Sequence, residues 1–288
     1  MNGIILINKP RGISSSKVVA TIKKITKEKC GHLGTLDPLA EGVLPICIGR
    51  ATRLFDYFLN KKKEYVAEFT FGEETDTLDL EGQIVKTSSH IPTKDEIEKA
   101  ISSHFLGDIQ QVPPIYSSKK VEGARAYDMA RKNKEIDLKP VAIHIFSFEC
   151  TRQIDGKTFE LKIVCSAGTY IRALARDLGA AVGSCATMTR LVRTKVGDFD
   201  IANCSELDKI NIENIEKQTL PIKAIVDKMP LYKINITEEN LKNLLNGKNL
   251  LLTNCQIREI VKVYNNEKVV GLGTVNGNGC LKIKTYLL

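Results

Sequence analysis

The densest run of unusual residues is G-H-L-G-T-L-D-P-L-A-E-G-V-L-P-I-C-I-G, from Gly31 to Gly49. Asp37 stands there between Leu36 and Pro38-Leu39-Ala40. The proline disfavours helical dihedrals at Asp37 and holds it extended. A carboxylate with apolar neighbours on both sides is a candidate for a partly desolvated acid, base or nucleophile. An Asp-Pro pair also initiates ordinary turns, and spacing alone leaves both readings open. His32 forms C-G-H with Cys30, but no second pair of metal ligands lies nearby, which argues against zinc. Gly31-His32-Leu33-Gly34 matches the G-x-x-G clamp of KH nucleic-acid modules, a short and weak signal.

A second cluster is S-A-G-T-Y-I-R-A-L-A-R-D-L-G, from Ser166 to Gly179. Thr169 can cap a helix whose inward face is Ile171, Leu174, Leu178 and Val182, with Tyr170 and Arg172 projecting from the other side. An arginine so placed is ordinarily a solvated charge; the sharper reading pairs it with a distant carboxylate. The T-D-T-L-D-L-E-G stretch from Thr75 to Gly82 lacks calcium-loop spacing and reads as a solvated turn. Cations gather at Lys9 with Arg11, at Lys61 to Lys63, and at Lys119, Lys120, Arg125, Arg131 and Lys132, where Tyr116 and Tyr127 are interleaved. Basic side chains neutralise phosphates and exposed aromatics stack on unpaired bases. Each group alone fits a solvated face; together they favour RNA over a small-molecule substrate.

The elements that must hold these residues mix strands with helices. Ile4 to Ile7 reads as a strand, and Ser14 to Ser16 as the cap of a helix with Val18, Val19, Ile22 and Ile25 inward. Val43 to Ile48 reads as a strand, followed by a helix through Leu54 and Phe58. Tyr65 to Phe71 alternates as a half-buried strand, with Ile84 and Val85 as its short hairpin partner. Lys94 to Phe105 has helical spacing, and Gln111 to Tyr127 reads as a long surface excursion. Val141 to Phe148 and Phe159 to Cys165 form a β pair around Asp155-Gly156. Without a repeating βαβ beat, the expectation is an α+β fold with a mixed sheet. Beyond Pro230 come a helix from Glu238 to Leu245 and three short strands, a unit small enough to need docking on the larger body.

Composition narrows the class. The chain has 288 residues, 43% hydrophobic, which excludes a mostly disordered protein. No apolar run approaches the ~20 residues that span a bilayer. The N-terminus reads as a strand and a turn, without the leading basic region of a signal peptide. Eight scattered cysteines without C-x-x-C read as reduced, buried thiols of a cytosolic protein. The formal charge is +8, and eight Lys and Arg against four Asp and Glu fall between Lys233 and Leu288. That hints at a polyanionic partner and a basic C-terminal module.

Taken in order, these motifs resemble the tRNA pseudouridine synthase B (TruB) family. The resemblance rests on N-K-P-R-G-I-S-S, G-H-L-G-T-L-D-P-L-A-E-G-V-L, K-K-E-Y-V-A-E-F-T-F-G with T-D-T-L-D-L-E-G, Q-V-P-P-I-Y-S-S-K-K-V-E-G-A-R-A-Y and G-T-Y-I-R-A-L-A-R-D-L-G. It covers about Gly3 to Asp227, and the basic C-terminal unit resembles that family's small PUA-type RNA-binding domain. The resemblance implies a largely antiparallel mixed central sheet flanked by helices, a catalytic domain over residues 1–230 with an RNA-gripping insertion at about 110–135, and a mostly-β PUA-like domain over 231–288. It implies conversion of the T-loop uridine-55 of tRNA to pseudouridine, without metal or organic cofactor, by a cytoplasmic monomer with no membrane association and no obligate protein partner. Asp37 matches the essential aspartate, which either attacks C1′ or removes the 2′ proton. Arg172 matches its charge partner, Tyr65 the tyrosine that stacks on uracil and is expected to help take the C5 proton, and Tyr170 a second pocket tyrosine. Leu191 corresponds to an apolar wall, and His32 to the histidine that fills the space the flipped base leaves. Lys9, Lys119, Lys120 and Arg125 are the residues expected to touch RNA. Two positions depart from the family: Ala167 stands where Lys is common, and Glu41, expected to face outward, where Thr is frequent. A tRNA-binding protein without catalysis and a guide-RNA-dependent pseudouridylation subunit are the alternative readings.

Overall fold

Apolar side chains at every position from Ile4 to Ile7 make sense only for a strand covered on both faces. In this computed structural model, which describes residues 1–116, 120–121, 124–125, 138–252 and 258–288, that strand lies in an eleven-stranded mixed sheet. The path begins at β1 (Gly3–Lys9), joined to β3 (Glu41–Ile48), with the short β2 (Cys30–His32) on the other side of β3. β4 (Lys63–Phe71) occupies the middle; β5 (Glu73–Thr75) and β6 (Ile84–Thr87) form a separate hairpin, and β7 (Gly107–Gln111) the far edge. The fragments β8 (Lys120–Val121) and β9 (Ala124–Arg125) pair with each other. β10 (Val141–Gln153), β11 (Thr158–Cys165) and β12 (Ala186–Val196) complete the centre, in the order β3-β12-β4-β11-β10-β7. β3 and β12 run parallel, whereas β12-β4, β4-β11 and β10-β11 are antiparallel, as expected for a largely antiparallel mixed sheet.

Three helices cover one face: α1 (Ser15–Thr26), then, after the short α2 (Phe55–Leu59), α3 (Lys94–His104) and α4 (Ile171–Ala181). Ser14 caps α1 by accepting from the Lys17 N–H, and Thr93 with Glu96 closes a reciprocal capping box on α3. Val18 and Ile22, Ile97 and Ile101, and Leu174 and Leu178 enter one core with Phe69, Phe71, Phe148 and Phe159 from the sheet. The opposite face of β1 and β3, with Ile4, Leu6 and Cys47, packs on Leu54, Phe58, Ile225 and Val226.

Two expectations about elements are corrected. Ile84 and Val85 do not pair with Tyr65–Phe71, which is flanked by β11 and β12; β6 pairs with β5 instead, and both residues are exposed. Thr169 does not cap α4: the helix begins at Ile171 with Tyr170 at the capping position, and the Thr169 hydroxyl donates to the Ser166 carbonyl at 3.1 Å. The excursion after Gln111 lies largely outside the described residues.

After the short β13 (Phe199–Asp200), β14 (Ser205–Glu206), α5 (Ile215–Gln218), β15 (Thr219–Pro221) and α6 (Ile222–Asp227), the chain enters a second sheet. Its strands are β16 (Tyr232–Ile236), β17 (Leu250–Leu251), β18 (Arg258–Asn265), β19 (Lys268–Val275) and β20 (Cys280–Tyr286), ordered β16-β18-β19-β20-β17, with α7 (Glu238–Leu245) packed beside them. Tyr264, Val269, Leu272 and Leu287 leave this unit to join the core built on Ile4, Ala51 and Leu54. The Lys262 ammonium donates to the Asp227 and Met229 carbonyls at 3.0 Å each, and Arg53 to the Tyr286 carbonyl at 2.8 Å. Among the described residues no helix is long and apolar enough to cross a membrane.

Candidate active site

Asp37 lies in the loop between β2 and β3, which has no regular structure of its own over Leu33–Ala40. Side chains from three distant elements hold it. The Ser15 hydroxyl on α1 donates to the Leu36 carbonyl and accepts from the Leu36 N–H, both at 2.8 Å. Arg193 on β12 is 1% exposed and donates to the carbonyls of Val43, Gly34 and Thr35 at 2.8, 3.0 and 3.3 Å. Its approach depends on Gly42, whose φ is +102° and where an added Cβ would collide with the Arg193 backbone. The third support is Lys9, and here an expectation fails. Its side chain is fully buried, and its ammonium donates to the carbonyls of Pro10, Ile13 and Pro38. It ties the loop down from inside the protein and does not face an RNA. Burial holds its pKa down at about 8, although Asp37 and Glu41 pull upward.

So held, the Asp37 carboxylate, 40% exposed, points into a cavity of about 480 Å³. Arg172 meets it from the first turn of α4, Nε to Oδ2 at 3.1 Å. This arginine is 7% exposed, so its ordinary solvated reading is wrong and the paired one right. The rest of its guanidinium is satisfied as well: Nη1 donates to the Thr77 carbonyl at 2.9 Å and lies 3.4 Å from Asp79 Oδ2, and Nη2 donates to the Tyr116 carbonyl at 3.0 Å. Asp79 is 5% exposed and accepts from the Thr77 hydroxyl at 2.7 Å and the Glu81 N–H at 3.1 Å. The Thr75–Gly82 stretch is therefore no solvated turn; it delivers a buried carboxylate to the back of Arg172.

Tyr65, Tyr170, Leu191 and His32 all line the same cavity. Tyr65 is buried on β4; burial pushes its phenol up to about 12, against the pull of Arg193, with which it shares a hydrogen bond. His32 is shifted downward, first by burial and then by the Arg193 charge, which favours its neutral form. Its Nδ1 is buried and has no hydrogen-bond partner among the described residues. Sequence reasoning missed Arg193 and Phe55 as lining residues and read Lys63 only as part of a cation run on a solvated face. Lys63 and Arg193 follow the in-facing parity of β4 and β12, which could have flagged them as cations turned toward the core side. Burial and the nearby Arg193 hold Lys63 down at about 8. Phe55, half-exposed at the mouth, carried no sequence signal. Glu41 is half-buried, 3.9 Å from Arg190, and is not among the residues lining the cavity. Ala167 also lines the cavity. Lys119 lies outside the described residues, as do Arg131 and Lys132; at Lys120 and Arg125 only the backbone is described. Among the described residues all seven cysteines are free thiols, and no group of His, Cys, Asp and Glu could hold a metal ion.

The cavity thus joins one carboxylate clamped by an arginine to two tyrosines, a leucine and the cations Lys63 and Arg193, a set suited to holding a planar ring beside an ionised acid. Comparison with known proteins points the same way. Residues 23–171 match the family profile described as TruB family pseudouridylate synthase (N terminal domain), and residues 172–246 and 233–285 match two TruB C-terminal profiles. A protein of Clostridium tetani named tRNA pseudouridine synthase B is 40% identical over 99% of both chains. Its namesake in Aquifex aeolicus is 37% identical over 100% of both. Among solved structures, one described as a Cbf5-Nop10-Gar1 complex aligns with a TM-score of 0.71 and 26% identity, covering 99% of this chain and 85% of that one. With the matched profile spanning the Asp37 loop and full-length relatives at this identity, the chain belongs to the TruB family of pseudouridylate synthases, which are isomerases.

Proposed function

We propose that this chain converts uridine-55 in the T loop of tRNA to pseudouridine, with Asp37 as the group that acts on the ribose. The observation that carries the reading is the Asp37–Arg172 pair at 3.1 Å inside a cavity lined by Tyr65, Tyr170, Leu191 and His32. The relatives named tRNA pseudouridine synthase B support the substrate. The target base first leaves its stack, at an expense of a few kcal/mol. Neutral His32, with its unpartnered Nδ1, takes the space the base leaves.

Asp37 then acts in one of two ways. As nucleophile, its carboxylate attacks C1′ while the C1′–N1 bond breaks and the electron pair leaves on uracil. As base, it removes the 2′ proton and the same bond breaks to give a glycal. In both, the uracil turns between Tyr65 and Leu191 and C5 bonds to C1′. In the first route C5 displaces the Asp37 carboxylate as the C1′–O bond breaks; in the second Asp37 returns the proton to C2′ as C5 adds. In each, the C5 proton passes to a base while N1 takes up a proton. No redox change occurs. Tyr65 serves as the surface on which uracil stacks, and burial, which pushes its phenol up to about 12, opposes the further role of taking the C5 proton. Mapping pseudouridine in unmodified tRNA transcripts treated with the isolated chain tests the site: modification confined to position 55 is expected, and modification elsewhere or nowhere contradicts it. A second reading is dependence on a guide RNA and partner proteins; the similarity to a solved Cbf5-Nop10-Gar1 complex supports its partner-protein part. Turnover of bare tRNA by the isolated chain excludes that reading.

A further inference from the structure

β7 ends at Gln111, and the chain then crosses the N-terminal half of α4 under four hydrogen bonds. Gln111 Nε2 donates to the Tyr170 carbonyl at 3.1 Å, and Gln111 Oε1 accepts from the Tyr170 N–H at 2.9 Å. Farther along, the Val112 carbonyl accepts from Arg176 Nη2 at 2.9 Å and the Tyr116 carbonyl from Arg172 Nη2 at 3.0 Å. Gln111 is 1% exposed, and its own backbone is registered against Val141 of β10. A buried primary amide is thus spent on both backbone groups of one residue, in the pattern of an antiparallel strand pair. That residue opens a helix with no side-chain cap. It lines the cavity, and two positions later comes the arginine that meets Asp37.

We propose that Gln111 is a positioning residue for the reaction: by fixing the Tyr170 backbone it sets the direction from which the Arg172 guanidinium reaches Asp37. The inference rests on the function proposed above. Glutamine is the side chain this role needs. A glutamate would turn a second oxygen on the Tyr170 carbonyl, and methionine fills the space while removing both bonds from Gln111, leaving the carbonyl held by the Leu174 N–H, 3.1 Å away. Gln111 also links the edge strand of the sheet to the active-site helix, so the segment that follows it is anchored on the catalytic arginine itself.

The test is single-turnover pseudouridine formation on a T-arm minihelix by the full chain, read beside minihelix affinity and the thermal midpoint. Gln111→Met is expected to slow the chemical step about 10- to 100-fold, the scale on which ~1 Å of misplacement lowers a rate. Its minihelix Kd should move by less than about threefold. Ser184→Ala removes a comparable buried hydrogen bond, 2.6 Å to the His90 carbonyl beyond the far end of α4, and should leave the rate within about twofold. In an Arg172→Lys background, Gln111→Met should slow the step by less than about threefold, because the guanidinium it aligns is absent. If Gln111→Met does not fold, Gln111→Glu is read in its place, with at least about a tenfold loss expected. A Gln111 variant at wild-type rate overturns the proposal, as does an undiminished loss in the Arg172→Lys background or a loss that Ser184→Ala reproduces. Wild-type chain that binds the minihelix without turnover overturns the function proposed above and this inference with it. Wild-type turnover beside an unimpaired Gln111 variant overturns this inference alone.

Discussion

At Arg172 one guanidinium serves two carboxylates, Asp37 at 3.1 Å and Asp79 at 3.4 Å, and of the two Asp37 alone lines the cavity. Asp79 is thus a fixed counter-charge behind the arginine. Asp79→Asn keeps an acceptor for the Thr77 hydroxyl and removes the charge, so turnover should fall about 10- to 100-fold with RNA affinity nearly unchanged. A single-turnover assay showing wild-type rate would remove Asp79 from the account. Lys63 gives a pH test with a definite sign. Its folded pKa of about 8 lies below the usual lysine value, so its favourable contribution is complete only above about pH 10.5 and is lost as pH falls through about 8. Lys63→Met should therefore be more stable than wild type by about 1–3 kcal/mol at pH 7, with the advantage shrinking toward pH 10. Urea titrations at both pH values check this; a variant less stable at pH 7 contradicts it. Asp37 is legible in the sequence because Leu36, Pro38 and the family motif surround it. Asp79 is not, because a carboxylate in T-D-T-L-D-L-E-G looks solvated until α4 brings an arginine to it from far along the chain.

The elements that carry their own local signals are the legible ones. Ser14 with its apolar stripe announces α1, and the spacing of Ile97, Ile101 and Phe105 announces α3, whose cap Thr93 the structure adds. β4 shows its alternation for the same reason. The partner of β6 is not legible, because strand pairing is decided by what covers the neighbours. β11 and β12, both far along the chain from Ala67, already occupy both sides of β4. The Asp37 loop shows the same limit at higher stakes: it has no periodicity, and its supports are Ser15, Lys9 and Arg193. A lysine beside Arg11 at a turn looks exposed, which is why Lys9 suggests RNA in the sequence; its three carbonyl partners emerge only once the Pro38 loop folds over it. Ser15→Ala removes both bonds to Leu36, and should destabilise the fold by about 1–2 kcal/mol while lowering turnover more than RNA affinity. Denaturant midpoints and single-turnover rates measured together test it, and loss of stability at undiminished rate would show that the loop keeps Asp37 in place without this serine.

Across the whole molecule, the C-terminal sheet is welded to the catalytic sheet through Tyr264, Val269, Leu272 and Leu287, so deleting it would bare the apolar face of β1 and β3. Charge substitutions are the cleaner probe of its part in RNA binding. Lys268, Lys282 and Lys284 are exposed on β19 and β20. Replacing all three with Gln should weaken tRNA binding and flatten the dependence of log K on log salt by up to about 0.9 for each phosphate left without its lysine. An unchanged slope would mean that this face meets solvent only. Half of the formal charge of +8 falls between Lys233 and Leu288, while at the site Arg172, Arg193 and Lys63 are turned inward beside a carboxylate and two tyrosines. The most direct measurement of the whole account is tritium release from a T-arm minihelix labelled at C5 of uridine, comparing wild type with Asp37→Asn. Wild type should release tritium without any added cofactor, guide RNA or partner, and Asp37→Asn should be slower by at least about 10²–10⁴-fold at nearly equal minihelix affinity. Release by Asp37→Asn at a rate near wild type, or none from wild-type chain bound to the minihelix, would contradict it.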